Sequence, residues 1–288
     1  YPLAVLSGVL LACSFPRFGH PAVAWVALAP LLAALMRQGG VRPRRAFGLG
    51  LVTGGIYFGG TLYWTPDVLR TFGGISLPLA VAAGSLLVAY LALFPAFVAV
   101  MVARVCGRLG PAGVLAAPVF WVAAEVARRW ILGGFPWVLL GSSQAGVTPV
   151  VQTASLAGVY GLSALVAFVS SALALAVAGR GRQRWMAPAA AACVAGGLAA
   201  WGAWRVQDGA LVRGGEPLRV ALVQGNVLQN EKWDKGLAAG ILKRYLTMTR
   251  EGAQRGASLV VWPESSTPFM FEHDPAGRLH RGRCGGGG

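Results

Sequence analysis

Glu264 is the acidic residue whose surroundings in the sequence favour chemistry most clearly. It follows the apolar run Ser258–Trp262, which predicts a buried strand, and Pro263 ends strand pairing just before it. In parallel α/β sheets ligands bind beyond the carboxyl ends of the strands, where a carboxylate shielded from water by Trp262 would serve as a general base. From position alone, an ordinary solvated acid after a strand is the more common case, so that alternative stays open.

A second acid, Glu125, interrupts an apolar segment and has Arg128 and Arg129 about one helical turn further along. Ionisable residues inside membrane segments are rare, and they are usually paired or functional. A local ion pair with these arginines is the simpler interpretation, and a contact with a lipid headgroup is the functional alternative.

The cysteines and serines form no recognisable catalytic or metal-binding pattern. Cys13, Cys106 and Cys193 fall in or at the ends of apolar segments, and Cys284 lies in the tail, so their spacing matches neither a zinc site nor a disulfide framework. The stretch Gly141–Ala145 mimics a serine nucleophile elbow, but it lacks the final glycine and a preceding strand. We therefore predict no metal and no serine nucleophile from these residues.

The composition indicates a membrane protein. Of the 288 residues, 56% are hydrophobic and only 12% are charged, which is about half the charged fraction of an ordinary soluble domain. The net charge of +15 comes from short basic clusters between apolar runs, because 13 Arg or Lys but only two acids precede residue 205. This pattern is typical of loops in a polytopic protein. Since there is no basic stripe or base-stacking aromatic platform, we predict no nucleic-acid binding.

Seven apolar segments are long enough, or nearly so, to predict membrane helices. They cover residues 3–15, 21–36, 46–64, 77–103, 111–131, 151–178 and 186–204. The first two are short and are joined by Pro16–Pro21, which no straight helix accommodates, so we expect a tight pair or a re-entrant hairpin. In the third segment, Gly50, Gly54 and Gly59 recur at a spacing that favours close helix packing.

The arginines of the connecting loops predict the orientation in the membrane. Nine of them form three clusters that occupy every second loop: Arg37, Arg42, Arg44 and Arg45; Arg104 and Arg108; and Arg180, Arg182 and Arg184. By the positive-inside rule these loops are cytoplasmic. One further segment crosses after the third cluster, so we expect the chain from about Arg205 onward to lie outside the cytoplasm.

The composition changes at Arg205, from where 12 bases and eight acids accompany ordinary soluble patterning. A strand at Leu218–Gln224, an amphipathic helix at Leu237–Gln254 and the strand before Glu264 predict a right-handed parallel crossover. Two strands and one helix cannot bury a core, so we expect a domain that is cut short. The predicted divisions are a membrane domain at 1–204, a linker at 205–217, the start of an α/β domain at 218–275 and a Gly-rich tail at 276–288.

Sequence motifs in both regions resemble one enzyme family. The motif VVWPES, which contains Glu264, follows a VALVQGN strand and resembles the start of the nitrilase superfamily. The preceding segments narrow the resemblance to the apolipoprotein N-acyltransferase family. The motifs that stand in the order typical of that family are CSFPRFG, VALAPLL, YLALFPA, PVFWVAAEVARRWILGGFPWVLLGSSQ, AGVYGLS and VALVQGNVLQNEKWD. The resemblance covers residues 3 to about 275.

The resemblance implies a polytopic α-helical membrane domain followed by the start of an α/β nitrilase-like domain with αββα layers. It implies an acyltransferase of lipoprotein biosynthesis, which moves an acyl chain from a phospholipid to the N-terminal S-diacylglyceryl cysteine of a lipoprotein through a cysteine thioester. Glu264 would be the general base of a Glu, Lys and Cys set, with no metal or dissociable cofactor. We expect a monomeric, multi-pass protein of the bacterial inner membrane with its catalytic domain on the periplasmic face.

Three further positions have roles that the resemblance implies. Trp233 would help to build the mouth of the active site that faces the acyl chain, although a loop aromatic that packs on its own domain is equally common. Gly141 and Gln144 would line a lipid access path, with a structural loop as the alternative. These three residues and Glu264 are the predicted site residues.

The sequence departs from the family pattern around Glu264. Its lysines, Lys232, Lys235 and Lys243, all precede that residue, and Cys284 has no strand before it and no helix after it. We therefore expect the 288-residue chain to lack two of the three catalytic groups and to be inactive alone. Two alternatives stay open, namely a membrane-tethered amidase or nitrilase, and a transporter or lipid-binding membrane protein without catalysis.

Overall fold

The structure, a computed structural model, describes residues 1–16, 18–36, 40–209, 212, 214–228, 231–232, 234, 236–264 and 266. The chain divides into two compact units, Tyr1–Ala210 and Leu211–Gly288. We name the first the helical unit and the second the α/β unit. The finer divisions expected from the sequence, such as a linker at 205–217, stay predictions.

The helical unit consists of α-helices joined by short connections, and each apolar segment predicted from the sequence is helical over most of its length. The α-helices are α1 Pro2–Cys13, α2 Pro21–Ala27, α3 Ala29–Leu35, α4 Pro43–Thr61, α5 Thr65–Gly73, α6 Leu77–Leu109, α7 Ala117–Arg128, α8 Thr148–Val151, α9 Ala154–Ala178 and α10 Gln183–Asp208. Within the described residues, 3₁₀ turns lie at Pro111–Ala116, Ile131–Gly133 and Leu140–Gln144.

Four of the described helical stretches are long and apolar enough to cross a membrane: Leu77–Leu109, Pro111–Arg128, Ala154–Ala178 and Gln183–Asp208. They confirm a polytopic helical membrane domain, although the number is smaller than the seven predicted. The helix α1 and the consecutive helices α2 and α3 are apolar, but they are shorter than the roughly 20 residues that a bilayer requires. The helix α4 begins with Pro-Arg-Arg and is rich in glycine, which lowers its hydropathy.

Glycines on α4 allow close contact with α6. A Cβ added at Gly50 would lie 2.8 Å from the Cβ of Ala99, and one added at Gly54 would lie 2.8 Å from the Cα of Ala92. Real Cβ atoms do not approach so closely, so glycine lets the two backbones pack tightly here, as predicted. For Gly59 the prediction is wrong, because nothing among the described residues lies within 4 Å of an added Cβ.

Hydroxyl side chains join the short first helices to the longer ones. The Thr53 hydroxyl on α4 donates to the Ala4 carbonyl on α1 at 3.0 Å, and the Ser170 hydroxyl on α9 donates to the Trp25 carbonyl on α2 at 2.7 Å. Such bonds satisfy polar groups inside an apolar bundle and fix the helices that they join. The helix α1 also packs against α2 and α3, which fits the predicted tight pair.

The described part of the α/β unit is a strand, a helix and a second strand, in the predicted order. The strand β1 (Val220–Leu222) pairs in parallel with β2 (Leu259–Val261), and α11 (Ala238–Gln254) lies between them in the chain. The parallel α/β arrangement is therefore confirmed. Each strand has 3 residues, which is shorter than predicted. The nitrilase-like layering stays a prediction, since the described residues contain these two strands only.

A small core holds the described part of the α/β unit together. Val223, Ile241 and Tyr245 are buried, and the ring of Trp262 stacks on that of Tyr245 with 5.2 Å between their centroids. Ala221 lies against α11 and its partner Val260 packs against the core, so the alternation along each strand directs the residues on either side of them to the opposite face of the sheet. The exposed side chains on that face are Val220, Leu222, Leu259 and Val261.

Candidate functional site

Glu264 lies just past the carboxyl end of β2, after Trp262 and Pro263, and its side chain is exposed. Trp262 does not provide the predicted shield in the described structure. Its ring stacks on Tyr245, and its indole N–H donates to the Thr249 hydroxyl at 2.8 Å. Glu264 is therefore an accessible carboxylate at the edge of the sheet, where it can accept a proton from a group that binds there.

The loop after β1 leaves the same edge of the sheet, because the two strands run parallel. Within it, Gly225 packs on the ring of Tyr245, and its carbonyl accepts a hydrogen bond from the Arg244 guanidinium at 2.9 Å. Asn226 has a left-handed backbone with φ of 48°, and its Oδ1 accepts from Gln224 Nε2 at 2.9 Å. These contacts anchor the loop on α11 and place polar side chains at this edge.

Trp233, predicted to border the mouth of the active site, lies outside the described residues, as do Lys235 and Cys284. Its role stays a prediction. In the part of the chain that the structure describes, no three His, Cys, Asp or Glu side chains come together as metal ligands would. In the described part of the α/β unit, Glu264 lies just past β2, and Glu231 and Asp234 lie in the loop after β1.

Gln144 is fully buried in the helical unit and connects segments that are far apart in the sequence. Its Oε1 accepts a hydrogen bond from the Trp25 indole at 3.1 Å. Its Nε2 donates to the Pro21 carbonyl and to the Ser143 hydroxyl, both at 2.9 Å. The side chain therefore joins α2 to the turn at Leu140–Gln144, and a contact of Gln144 with lipid stays a prediction.

Gly141 lies where α9 passes the same turn. Its amide donates to the Ser163 hydroxyl at 2.8 Å. An added Cβ would collide with the Val159 carbonyl oxygen and would lie 2.8 Å from the Cβ of Leu162. Close packing thus requires a glycine at this position. The residue shapes the bundle from inside, and its contact with lipid also stays a prediction.

Glu125 is buried and receives two hydrogen bonds that we did not predict. Its Oε1 accepts from the Leu140 amide at 2.7 Å and from the Trp121 indole at 3.0 Å. The spacing of Trp121 and Glu125, one helical turn apart on α7, was the available signal for the second bond. The first bond depends on how the chain folds back after α7.

Arg128 is buried as well, and it bonds to the backbone rather than to Glu125. Its Nη2 donates to the Trp137 carbonyl at 2.9 Å and to the Val138 carbonyl at 3.2 Å. Its guanidinium carbon lies 5.1 Å from the centre of the Phe58 ring, a cation–π contact. The local ion pair expected from the sequence is not formed between these two described side chains, because the loop after α7 supplies carbonyl acceptors.

Comparisons with known proteins extend across both units. The family profile of the apolipoprotein N-acyltransferase N-terminal domain matches residues 7–172. Relatives from Geobacter metallireducens, Chromobacterium violaceum and Nitrosomonas europaea, each named apolipoprotein N-acyltransferase, are 41%, 34% and 35% identical over 282, 280 and 276 residues. These alignments cover 96%, 96% and 93% of this chain and 53%, 52% and 52% of the relatives. The chain belongs to the apolipoprotein N-acyltransferase family.

The resemblance predicted from the motifs is thus confirmed over nearly the whole chain. The apolipoprotein N-acyltransferase profile spans the clusters around Glu125 and Gln144, and the longer alignments continue into the α/β unit. The chain spans about half the length of the curated relatives it matches. The comparisons assign no role to individual residues.

Proposed function

We propose that the protein containing this chain transfers an acyl chain from a phospholipid to the α-amine of the N-terminal S-diacylglyceryl cysteine of a lipoprotein. The observation that carries this proposal is the 41% identity to a named apolipoprotein N-acyltransferase over 96% of the chain. That likeness extends through two units of unlike composition. It favours the acyltransferase over the alternatives of an amidase, a transporter or a lipid-binding protein without catalysis.

Glu264 is the proposed general base. Its exposed carboxylate at the carboxyl end of β2 is accessible to a cysteine thiol, whose proton it takes. The thiolate attacks the ester carbonyl carbon of the phospholipid, a lysine stabilises the oxyanion, and the lysophospholipid leaves as an alcohol after protonation. The acceptor amine then attacks the thioester and releases the thiol. We assign neither this cysteine nor this lysine to a residue of the printed sequence.

The other proposed site residues concern the path and the entrance for the acyl chains. Trp233 borders the mouth of the active site in this proposal. Gly141 and Gln144 shape a lipid access path indirectly, because they fix the turn at Leu140–Gln144. Their burial and their occupied hydrogen-bonding atoms support an indirect role over a direct contact with substrate.

Attachment to a membrane suits substrates that are themselves held in a membrane. Four helices that are long and apolar enough to cross a bilayer make this a multi-pass membrane protein. The alternating arginine clusters support a periplasmic location of the α/β unit, and the bacterial relatives support a location in the bacterial inner membrane. Confinement of donor, acceptor and nucleophile raises their effective concentration. The proposal is a monomer that needs no metal or dissociable cofactor.

Transfer to a synthetic acceptor tests this function. The full protein that contains this chain is purified in detergent and mixed with a phospholipid that carries a labelled acyl chain and with a peptide that begins with S-diacylglyceryl cysteine. Mass spectrometry should detect the labelled triacylated peptide, and a control peptide with an acetylated α-amine should gain no acyl chain. Release of ammonia from simple amides without any triacylated peptide would favour the amidase alternative.

A further inference from the structure

Val138 has a backbone conformation that β-branched residues rarely adopt, with φ of 56°. Its carbonyl accepts hydrogen bonds from the Tyr57 hydroxyl at 2.9 Å and from Arg128 Nη2 at 3.2 Å. Two residues further on, the Leu140 amide donates to Glu125 Oε1 at 2.7 Å. Side chains from α4 and α7 therefore hold a strained turn in place, and such strain persists only where the surroundings over-determine it.

The same side chains leave two atoms of charged groups without a hydrogen-bond partner among the described residues. These atoms are Glu125 Oε2 and Arg128 Nε. Glu125 is 5% exposed and Arg128 is 3% exposed, so bulk water does not satisfy them. An unpaired donor or acceptor of a charged group is costly in an apolar interior, because it loses its hydration without compensation.

Glu125 and Arg128 line one cavity of about 20 Å³. Its other walls are mainly apolar and include Phe58, Val98 and Ala124. A cavity holds a water molecule when it offers roughly 10–15 Å³ or more and at least two polar partners. An acyl chain has no polar atom to offer the two charged side chains. The ligand that fits is small and neutral, and it both donates and accepts a hydrogen bond.

We propose that this cavity binds one water molecule, which donates a hydrogen bond to Glu125 Oε2 and accepts one from Arg128 Nε. The water joins the carboxylate and the guanidinium into one network, although the two groups form no direct ion pair. Both side chains are thereby fixed in the positions from which they bond to the turn at Trp137–Leu140. The water-bridged pair is the lock that keeps this strained turn in place.

Ser163 is the competing partner for the carboxylate. Its hydroxyl lies close to Glu125 and accepts the Gly141 amide at 2.8 Å, so its own proton is available. That proton can satisfy Glu125 Oε2, but it leaves Arg128 Nε unpaired. A water molecule in the cavity that these two residues line would satisfy Arg128 Nε as well, which favours water over the serine alone.

The water-bridged pair also affects the position of Trp137, the aromatic residue on this turn. The ring of Trp137 lies 5.7 Å from the ring of Trp64 and 5.7 Å from the ring of Phe135. Trp137 is 56% exposed, so these contacts cover less than half of its surface. Its backbone carbonyl is the acceptor of the Arg128 bond, and the position of the ring therefore depends on the lock.

High-resolution structure determination of the intact protein in a lipid nanodisc tests the water site directly. We expect one density peak within hydrogen-bonding distance of both Glu125 Oε2 and Arg128 Nε. A direct ion pair between the two side chains would overturn the proposal. So would a cavity without density in a map that resolves other buried waters of the protein.

Filling the cavity tests the lock. Ala124→Val adds two methyl groups to a wall of the cavity, and the control Ala123→Val adds them at an exposed position of α7. Displacing the water should speed hydrogen exchange in the peptide containing residues 137–141 by roughly tenfold or more, because two charged groups lose a partner. The control should exchange at the parental rate.

Equal exchange rates in the parent protein and in Ala124→Val would contradict the lock. If Ala124→Val does not yield folded protein, the density in the parent protein decides the question. Neither measurement requires acyl transfer, so the outcome for this site is separate from the outcome for the proposed function.

Discussion

The helical unit and the α/β unit differ in where they place their polar and apolar groups. In the helical unit, Gln144, Glu125 and Arg128 are buried and bond to backbone or to other side chains. In the described part of the α/β unit, Leu222 is 78% exposed on one sheet face, and Glu264 is exposed at the sheet edge. The first pattern suits a protein surrounded by lipid, and the second is that of a sheet with one face still open.

The two units also differ in how they use an acidic side chain, Glu125 in the helical unit and Glu264 in the α/β unit. Glu125 is buried, and its Oε1 holds the turn through the Leu140 amide, which requires a fixed position. Glu264 is exposed, and a general base has to reach the group whose proton it takes. In this chain the buried acid is therefore a positioning residue and the exposed acid is the candidate for chemistry.

The two units should differ most in how they unfold when each is expressed alone. Residues 216–288 alone should show no cooperative unfolding, because the buried core has only Val223, Ile241 and Tyr245 among the described residues and one sheet face is open. Residues 1–210 in detergent should unfold cooperatively. Circular dichroism during heating measures both. A sharp thermal transition of residues 216–288 would show that this unit is stable without further cover.

Labelling of single cysteines from outside intact cells should give an all-or-none difference. In a background without the native cysteines, Thr71→Cys and Asn226→Cys should react with an impermeant maleimide, because both positions are exposed and predicted to lie outside the cytoplasm. Val41→Cys and Gln183→Cys, which adjoin arginine clusters, should react only after the cells are permeabilised. Reaction in the reverse pattern would overturn the orientation.

Adding one methyl group at two glycines of the helical unit should have opposite effects. Gly141→Ala forces a Cβ against the Val159 carbonyl and should lower the free energy of unfolding by about 1–3 kcal/mol. Gly55→Ala, in α4, meets no described atom within 4 Å and should raise it by up to about 1 kcal/mol. Thermal denaturation in detergent measures both. Equal melting temperatures for the two variants would contradict the packing described around Gly141.

Removing one indole N–H should have the smallest effect. Trp25→Phe leaves the buried Gln144 Oε1 without its donor and should destabilise the helical unit by about 1 kcal/mol. Trp185→Phe is the control, since that side chain is 69% exposed and its loss should be close to neutral. The comparison uses the same denaturation assay. An equal effect of both substitutions would remove Gln144 from its role of joining α2 to the turn.

The order of elements was largely predictable because its signals are local. A bilayer demands apolar runs of roughly 20 residues, and these runs mark the helices of the helical unit. The same reasoning missed α5, Thr65–Gly73, because this amphipathic helix has no buried residue and forms no apolar run. In the α/β unit, apolar periodicity predicted the order strand, helix, strand, and the end of the second strand predicted the place of Glu264.

The buried polar clusters were not predictable because their partners are distant in the sequence. Gln144 and Trp25 are 119 residues apart, and Tyr57 and Val138 are 81 residues apart. Local spacing places Trp121 one turn before Glu125 and the arginines about one turn after it, and we predicted only the ion pair with the arginines. The fold instead brings backbone donors and acceptors from the loop after α7 to these side chains.

The proposed role of Glu264 is to activate the nucleophile that receives the acyl chain. Incubated with phospholipid and no acceptor, the full protein that contains this chain should gain the mass of one acyl chain as a thioester. Glu264→Gln should keep the fold and phospholipid binding but lower the rate of adduct formation by orders of magnitude, because the thiolate no longer forms in place. Glu251→Gln, at an exposed position of α11, is the matched control and should acylate normally.

Intact-protein mass spectrometry before and after treatment with hydroxylamine, which cleaves thioesters, measures the adduct in the three proteins. We predict a cleavable adduct in the parent protein and in Glu251→Gln and none in Glu264→Gln over the same period. Normal acylation of Glu264→Gln would contradict the assignment of Glu264 as the general base.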